Sequence, residues 1–334
     1  MNVVRQLDRN SWKQFVDDHP LGNIFHTPEM FDVYTYAQGY HPALWATVSE
    51  TNEILALFIP VQITLFGSLL RPFTTRAVSF GSTLCTQDER GKEALDLLLR
   101  IYNQNTKNKI LFTELRNLSD ITYMQPSLGR QGFIYEEHLN FMIDLDRPLD
   151  AVWKSIRSNA RRNIQKAQKM GVVIEETQDI SDLPAGYSVL KDVYKRIQVP
   201  LPDQSLFESA FRILQPCGMM KTLLAKIEGK TVGILFLLLY KDIVFYWYTG
   251  TSREYSAYRT NDLLVWHSLE YGQKNGYRCF DFGGGGKPDE EYGVRDFKAK
   301  YGGELVNFGR NIRVHAPVKL KLSEEGYQLM RRFL

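Results

Sequence analysis

The sequence predicts an α/β protein made of two successive copies of one folding unit, and two observations lead to this prediction. The chain has 334 residues, about the length of two domains. A β-hairpin, a helix and a strand follow one another in residues 43–115, and the same order recurs in residues 219–282. The repeat lies in the order of the elements and not in residue identity, so chance recurrence is the alternative.

In the first half we predict, in order, a helix from Ser11, a helix from Thr27, a hairpin of residues 43–48 and 54–63, a helix over 88–102 and a strand over 110–115. Ser11 and Gln14 have the form of a capping box, and Thr27 precedes a proline in the first helical position. The hairpin turn is expected at Thr51 and Asn52, where the apolar runs are interrupted.

In the second half we predict a helix over 152–170, a hairpin of 219–227 and 232–240, a strand over 243–249, a helix over 261–273 and a strand over 277–282. The boundary is expected near Arg147 and Pro148, which gives domains of residues 1–147 and 148–315. Residues 323–334 form a predicted helix that folds back, so that 316–334 complete the first domain.

Composition limits the class of protein. With 44% hydrophobic and 24% charged residues, the chain is typical of globular proteins, and a net charge of +3 indicates no DNA partner. The cysteines Cys85, Cys217 and Cys279 lack paired spacing, which argues against disulfides and fits a cytoplasmic location. The longest apolar run, 232–240, is shorter than the ~20 residues of a membrane helix, so we expect no membrane span and leave peripheral contact open.

A run of four glycines, Gly283 to Gly286, follows the strand predicted at 277–282. Glycine permits positive φ and lets backbone N–H groups approach a ligand, and open α/β sheets bind ligands at the carboxyl ends of their strands. We therefore predict that Gly283 and Gly284 contact substrate, with a merely flexible loop as the alternative. The run lacks the spacing of a dinucleotide-binding or P-loop motif.

Two ionisable residues, Asp281 just before this run and Lys298 in the segment that follows it, are candidate catalytic groups. Lys298, beside Phe297, could stabilise the oxyanion of an acyl-transfer intermediate, or it could be an ordinary surface lysine. Asp281 lies in an apolar strand, where a carboxylate needs partners. Structural pairing and general-base catalysis are both open for it.

Aromatic, histidine and basic residues complete the list of candidates. Alternation along a strand puts Tyr246 and Tyr248 on one face, either in the core or with their hydroxyls in the site. The histidines lack ligand spacing, so no metal is inferred. The helix over 152–170 has a basic face that is either simply solvated or a surface for a polyanion such as RNA, formed by Arg157, Arg161, Arg162 and Lys166.

Three segments together resemble the Fem family, the aminoacyl-tRNA-dependent transferases that build peptidoglycan bridges, and its FemAB-like relatives in the GNAT superfamily. The segments are residues 22–29 (GNIFHTPE), residues 159–167 (NARRNIQKA), and residues 277–284 with Phe297-Lys298 and Gly302-Gly303. The resemblance implies two tandem GNAT-like domains, each a mixed, mostly antiparallel sheet flanked by helices. It also implies N-acyl transfer, with Phe297 and Lys298 beside the acyl donor and Tyr246 and Tyr248 along the substrate channel.

The chain departs from the family at the predicted acceptor side. The loop in which the peptidoglycan enzymes carry a tyrosine and an aspartate reads Phe80 to Cys85 here, so we place Phe80 and Cys85 at the substrate without those functional groups. Where the family has a lysine after the early helix, residues 31–36 offer none. Both departures put a muramyl-peptide acceptor in doubt.

The donor is also open. Acetyl-CoA-dependent GNAT proteins carry a glycine-containing loop before the helix that binds pyrophosphate, and residues 252–261 contain no glycine. Arg259 and Asn261 remain candidate substrate contacts there. We therefore expect no bound cofactor and favour an aminoacyl-tRNA or a carrier-bound acyl group over acyl-CoA as co-substrate.

With these residues, the resemblance implies an acyltransferase that moves an aminoacyl or acyl group onto an amine of a cell-envelope or polysaccharide precursor. The acceptor would be a small molecule, including a nucleotide-linked one. An acyl-CoA-dependent N-acetyltransferase is one alternative. A non-catalytic module that binds RNA or a nucleotide-linked ligand is the other.

Overall fold

The computed structural model describes residues 1–64 and 70–323, and it divides into two compact units. The first unit comprises residues 1–137 with 308–334, and the second comprises residues 138–307. The expected boundaries were 147/148 and 315/316. They differ because residues 139–144 form a strand in the sheet of the second unit, whereas residues 310–314 return to the sheet of the first.

The N-terminal part of the first unit contains these elements in order: β1 Asn2–Val4, α1 Arg9–Asp18, α2 Pro28–Tyr36, β2 Tyr40–Pro42, β3 Trp45–Val48, β4 Ile54–Phe58, β5 Val61–Thr64, α3 Arg71–Thr74, β6 Thr75–Phe80, β7 Thr83–Cys85, α4 Glu89–Thr106, β8 Phe112–Arg116, α5 Gln125–Arg130 and β9 Ile134–Glu136.

The second unit contains β10 Leu139–Asp144, α6 Leu149–Ser155, α7 Ser158–Lys169, β11 Val173–Glu176, α8 Leu183–Arg196, α9 Gln204–Leu214, β12 Met220–Ile227, β13 Lys230–Tyr240, β14 Ile243–Thr251, α10 Thr260–Lys274, β15 Cys279–Gly286, α11 Gly293–Lys298 and β16 Glu304–Asn307. The chain then returns to the first unit as β17 Arg310–Val314, and residues 317–323 are helical.

The two units share the order of strands around their parallel pair, which is β13-β14-β15-β10-β16 in the second unit and β5-β6-β8-β17-β9 in the first. In the second unit the sheet order is β11-β12-β13-β14-β15-β10-β16, and the described strands of the first unit form the orders β2-β5-β6-β8-β17-β9 and β1-β3-β4-β7. Each unit has one parallel pair, β14 with β15 and β6 with β8, among the pairs of its described strands, which are otherwise antiparallel. The predicted duplication is therefore present in the mixed, mostly antiparallel sheet that contains the parallel pair of each unit, and the first unit has a second, antiparallel sheet, β1-β3-β4-β7.

Helices cover each sheet because their apolar stripes pack against it. In the first unit Leu95, Leu98 and Tyr102 of α4 are buried in one cluster with Phe58 and Leu115 of the strands. In the second unit the buried residues of α7 and α10 share a cluster with strands β12 to β15. This packing on the sheet gives each unit its own hydrophobic core.

Several element predictions are confirmed and others need correction. Helix α2 begins after its N-cap Thr27 as predicted, but α1 begins at Arg9 because Asp8, not Ser11, caps it. The helix predicted over 152–170 is two helices, separated where the backbone N–H of Arg157 donates to Lys300 O at 2.7 Å. The helix predicted from Ser323 lies outside the described residues.

Candidate functional site

The candidate site lies where the parallel strands β14 and β15 separate. Their described pairing covers only Ile243–Phe245 opposite Cys279–Asp281, although both strands continue further. Beyond Phe245 and Asp281 the two strands are not paired with each other, so their backbone groups and side chains can face a ligand. Asp281 is the last residue of β15 in this pairing.

Asp281 is a buried carboxyl group, with 2% of its surface exposed. Its Oδ1 accepts hydrogen bonds from the Gly283 backbone N–H at 2.8 Å and from Asn140 Nδ2 at 2.9 Å. Burial raises the pKa of Asp281 to about 6, and the bond from Gly283, the charge of Lys298 and the bond from Asn140 oppose this rise. Asp281 is thus an ionised but unusually basic carboxylate at neutral pH.

Lys298 is the second buried ionisable group, with 8% of its surface exposed. Its ammonium donates to the Gly284 carbonyl at 3.0 Å and lies 5.3 Å from the centre of the Phe282 ring. Burial lowers the pKa of Lys298 to about 8, while the charge of Asp281 opposes the change. An ammonium this poorly solvated interacts strongly with any anion that forms beside it.

The four glycines are part of β15 and do not form a loop after it, which corrects the sequence interpretation. Against β10, Phe282 and Gly285 are extra residues that make two bulges, and the glycines that follow them, Gly283 and Gly286, have φ of +77°. The N–H of Gly283 and the C=O of Gly284 hold Asp281 and Lys298, respectively. The glycines therefore shape the site through the backbone.

Phe297 precedes Lys298 on α11 and is half-buried. Its ring lies 5.3 Å from that of Tyr301 and 6.3 Å from that of Phe282. The helix is also tied to the glycine strand by Arg295, whose Nε donates to Gly285 O at 2.7 Å. Phe297 thus packs the base of the site rather than presenting a reactive group.

Tyr246 and Tyr248 lie on opposite faces of the sheet, which corrects their predicted placement on one face. A bulge in β14 pairs Tyr248 with Phe236 and Tyr246 with Leu237. Phe236 and Leu237 are successive residues of β13 and point to opposite faces of the sheet, and each tyrosine lies on the face of its partner. Tyr246 packs on Phe282, with ring centres 4.8 Å apart. Its buried hydroxyl lies near Thr249 but makes no hydrogen bond of ordinary geometry within the described residues. Of the two tyrosines, Tyr246 therefore accompanies Asp281 and Lys298.

Arg259 and Asn261 stand at the start of α10. Arg259 is exposed, has left-handed backbone geometry with φ of +59°, and gives the helix no side-chain cap. The buried Oδ1 of Asn261 and Oγ1 of Thr260 lack hydrogen-bond partners among the described residues. Helix α10 thus begins without a side-chain cap, and within its first turn the backbone N–H of Asp262 donates to Arg259 O at 3.1 Å.

Asp262, in the next position, connects three elements of the second unit. It accepts from the Tyr301 hydroxyl at 2.9 Å and from Asn163 Nδ2 of α7 at 3.4 Å. Burial raises the pKa of Asp262. These bonds fix α7 and the segment after Lys298 against α10, and sequence reasoning missed them because the three residues are distant in the chain.

The basic face of α7 is available to a polyanion. Arg157, Arg162 and Lys166 are exposed and Arg161 is half-buried, and these four make no ion pair with other described residues. The opposite face buries Ala160, Ile164 and Ala167. The predicted stripe of positive charge is therefore present on a helix that is packed firmly on its other side.

In the first unit, Cys85 is not a substrate contact, contrary to the sequence prediction. The residue is completely buried, and burial raises the pKa of its thiol to about 11. Its carbonyl accepts from His19 Nε2 at 2.8 Å and from the Tyr123 hydroxyl at 3.3 Å. Phe80, in contrast, is half-buried and stacks on Phe25, with ring centres 5.2 Å apart.

An arginine network surrounds Phe80 that sequence reasoning missed. Arg116 lies 5.1 Å from the Phe80 ring and binds Glu114 Oε2 at 3.0 Å, while Arg310 binds Glu114 Oε1 at 2.5 Å. Burial alone would raise the pKa of Glu114, but the charges of Arg116 and Arg310 outweigh it and lower that pKa. The signal in the sequence was Glu114-Leu-Arg116, two charges on one face of an otherwise apolar strand.

His138 was not a candidate from the sequence but lies at the site of the second unit. A Cβ added to Gly284 would be 3.0 Å from its Nε2, so the imidazole is in contact with the glycine strand.

No group of three or more metal-ligating side chains occurs within the described ranges. Within residues 1–64 and 70–323, every helix is too short or too polar to span a lipid bilayer.

The parallel strands β14 and β15 are joined by helix α10, and the segment that contains all three also contains α7 and Lys298. Residues 154–298 match the family described as "Acetyltransferase (GNAT) domain". A comparison of the sequence with curated proteins gave no match.

Solved structures share the fold over almost the whole chain. FemX is similar with a TM-score of 0.73 and 16% identity, covering 97% of this chain and 100% of that one. The C-terminal domain of a putative lysylphosphatidylglycerol synthetase from Agrobacterium fabrum gives 0.61 and 12%, covering 96% and 95%. A tandem GNAT protein from the clavulanic acid biosynthesis pathway gives 0.60 and 11%, covering 95% and 99%. The predicted fold class, two tandem GNAT-like domains, is confirmed, and the resemblance to FemX holds at the level of the fold.

Proposed function

We propose that the protein is an N-acyltransferase of FemAB-like type, which transfers an aminoacyl or acyl group from an activated ester to an amine of a cell-envelope or polysaccharide precursor. The observation that carries the proposal is the buried Asp281–Lys298 pair at the separation of β14 and β15. The GNAT match of residues 154–298 supports the class of reaction.

Each group of the pair has a task in this reaction. The amine attacks the ester carbonyl, and the resulting oxyanion is stabilised by the ammonium of Lys298. Asp281 takes the proton that the amine loses when the C–N bond forms. Its Oδ1 already accepts two hydrogen bonds, which leaves Oδ2 for the amine. When the C–O bond breaks, the proton passes to the leaving oxygen, so that the pair returns to its starting state.

The acceptor is assigned to the first unit in this proposal. The Phe80 ring and the guanidinium of Arg116 offer a flat apolar surface and a positive charge side by side. These groups suit an acceptor that carries a ring and an anionic group, which includes a nucleotide-linked amine. If so, Arg116→Ala raises KM for the acceptor and leaves KM for the donor unchanged.

The donor favoured here is an aminoacyl-tRNA or a carrier-bound acyl group, and the exposed arginines of α7 support a polyanionic donor. An acyl-CoA donor is the second candidate. The absence of a side-chain cap at the start of α10 favours this donor, because backbone N–H groups in the first turn of a helix can donate to a pyrophosphate.

Native mass spectrometry tests both candidates directly. The purified protein is incubated with charged tRNA, a mixture of acyl-CoA thioesters and acylated carrier protein, and the retained donor is identified by mass. Amine acceptors are then added and followed for the mass of one acyl group. A product that forms with the wild type but not with Lys298→Met establishes acyl transfer. Retention of a donor without turnover of any amine would instead indicate a binding module.

A further inference from the structure

A basic pocket lies within the first unit, between α4, the end of α5 and β17. Its volume is about 360 Å³. The side chains that matter for its chemistry are Arg100, Asn103, Lys107, Arg130, Arg313 and His315. None of these was a candidate from the sequence, and the acyl-transfer site of the second unit uses none of them.

Helix α4 supplies one wall of the pocket through its spacing. Arg100, Asn103, Gln104 and Lys107 are three, four and seven residues apart and therefore share one face of the helix. The core face of the same helix is apolar and buried. The polar face lines the pocket, with Arg100 and Lys107 as its exposed charged groups and Asn103 as a buried polar one.

Positive charge is in excess in this pocket. Arg130 binds Asp96 at 2.6 Å, whereas Arg100, Lys107 and Arg313 make no ion pair within residues 1–64 and 70–323. His315 adds no charge at neutral pH because burial, together with the charge of Arg313, lowers its pKa to about 4. Three unpaired cations around one cavity repel one another unless an anion lies between them.

The guanidinium of Arg313 is held in place by the backbone. Its Nη1 donates to Gln131 O, which also accepts from Asn103 Nδ2 at 3.2 Å. Gly132 follows with φ of +74°, and a Cβ there would lie 2.1 Å from Arg313 Nη1, so a larger residue would displace the guanidinium. The buried Nε of Arg313 and Oδ1 of Asn103 have no hydrogen-bond partner among the described residues. The pocket thus contains a fixed, half-buried arginine with unused polar capacity.

We propose that this pocket binds an organic phosphate of about mononucleotide size, independently of the acyl-transfer reaction. The volume lies in the usual range of small-molecule sites. Guanidinium groups match the geometry of phosphate oxygens, and Arg100, Arg130 and Arg313 present such groups from three different elements. Asn103 and Gln104 can hydrogen-bond to the rest of the ligand.

Isothermal titration calorimetry with ADP, pyrophosphate and inorganic phosphate at low salt tests the proposal. Arg100→Ala/Lys107→Ala removes two charges from the pocket. Arg90→Ala/Lys92→Ala is the matched control, because it removes two charges from the same helix outside the pocket, where both side chains pair with glutamates. We expect ADP to bind the wild type and the control alike, and the pocket variant at least about 30-fold more weakly, as the loss of two charged hydrogen bonds implies.

A second variant, Arg313→Lys, keeps the charge but loses the planar fork, and we expect about a 10-fold loss of ADP affinity. Thermal unfolding of each variant verifies that it folds. Tighter binding of ADP than of inorganic phosphate supports an organic ligand. The proposal is overturned by no binding of ADP up to about 1 mM, by equal affinity for ADP and inorganic phosphate, by equal losses in both double variants, or by binding of single-stranded RNA alone.

Discussion

Replacing Lys298 by methionine should stabilise the protein and inactivate it. Burial lowers the pKa of this ammonium from 10.5 to about 8. Since one pKa unit corresponds to about 1.4 kcal/mol, the folded protein carries a cost of about 3 kcal/mol for the charge. Methionine removes that cost and loses the hydrogen bond to Gly284 O, worth about 1 kcal/mol. The expected net gain in the free energy of unfolding is about 2 kcal/mol at pH 7.

The gain depends on pH in a defined direction. Because the folded pKa lies below the unfolded one, the cost is complete below about pH 8 and disappears as the pH rises toward 10.5, where both states are neutral. Calorimetry should therefore show a melting temperature for Lys298→Met about 4–8 °C higher at pH 7, with a smaller difference at pH 10. Lys300→Met, in a half-buried neighbouring position, is the control and should show little change.

Turnover of Lys298→Met should fall by about 100-fold or more, because the oxyanion loses its cation. A structural lysine would give the opposite result, with reduced stability at pH 7 and retained activity. Either retained turnover or a destabilised protein at pH 7 would refute the assignment of Lys298 as a functional charge.

Three further predictions concern the Asp281–Lys298 site, and a fourth concerns the basic face of α7. The pH profile of kcat/KM should be bell-shaped, rising near pH 6 as Asp281 ionises and falling near pH 8 as Lys298 loses its proton. In Lys298→Arg, only the alkaline limb of the profile should move, and it should move to higher pH. Asp281→Asn should lower kcat by about 10²–10⁴-fold, and unchanged kcat would exclude a general base. Gly283→Ala should lower both stability and turnover, because the φ of Gly283 is +77° and the added Cβ would lie 3.4 Å from Lys298 Nζ. Gly276→Ala is the control: the φ of Gly276 is +78° but the space around it is open, so this variant should lower stability alone. Arg162→Ala should weaken tRNA binding and reduce the slope of its salt dependence by about one in filter-binding assays, and an unchanged slope would exclude α7 as the contact surface.

Helices and strands were predictable wherever the local signal was strong. Thr27 with the following proline located the start of α2, and the apolar spacing of α4 and the long runs of β12 to β14 were read correctly. Prediction failed where one residue broke a regular pattern. The bulge at Trp247 reversed the face of Tyr248, and the backbone bond from Arg157 to Lys300 O divided one predicted helix into two. Such irregularities depend on partners far away in the chain.

Residue type and local spacing are enough to predict the repeated order of elements, the basic face of α7 and the candidates Lys298 and Asp281. The burial, the hydrogen bonds and the pKa values of these residues follow from the folded chain. Burial moves the pKa values of Asp281 and Lys298 toward neutrality, and two bulges turn the glycine run into the backbone that holds both groups. In the folded chain Cys85 is buried, and Arg116 and Arg310 both form ion pairs with Glu114. Burial and charge pairing arise from contacts between distant segments, and local spacing does not encode them.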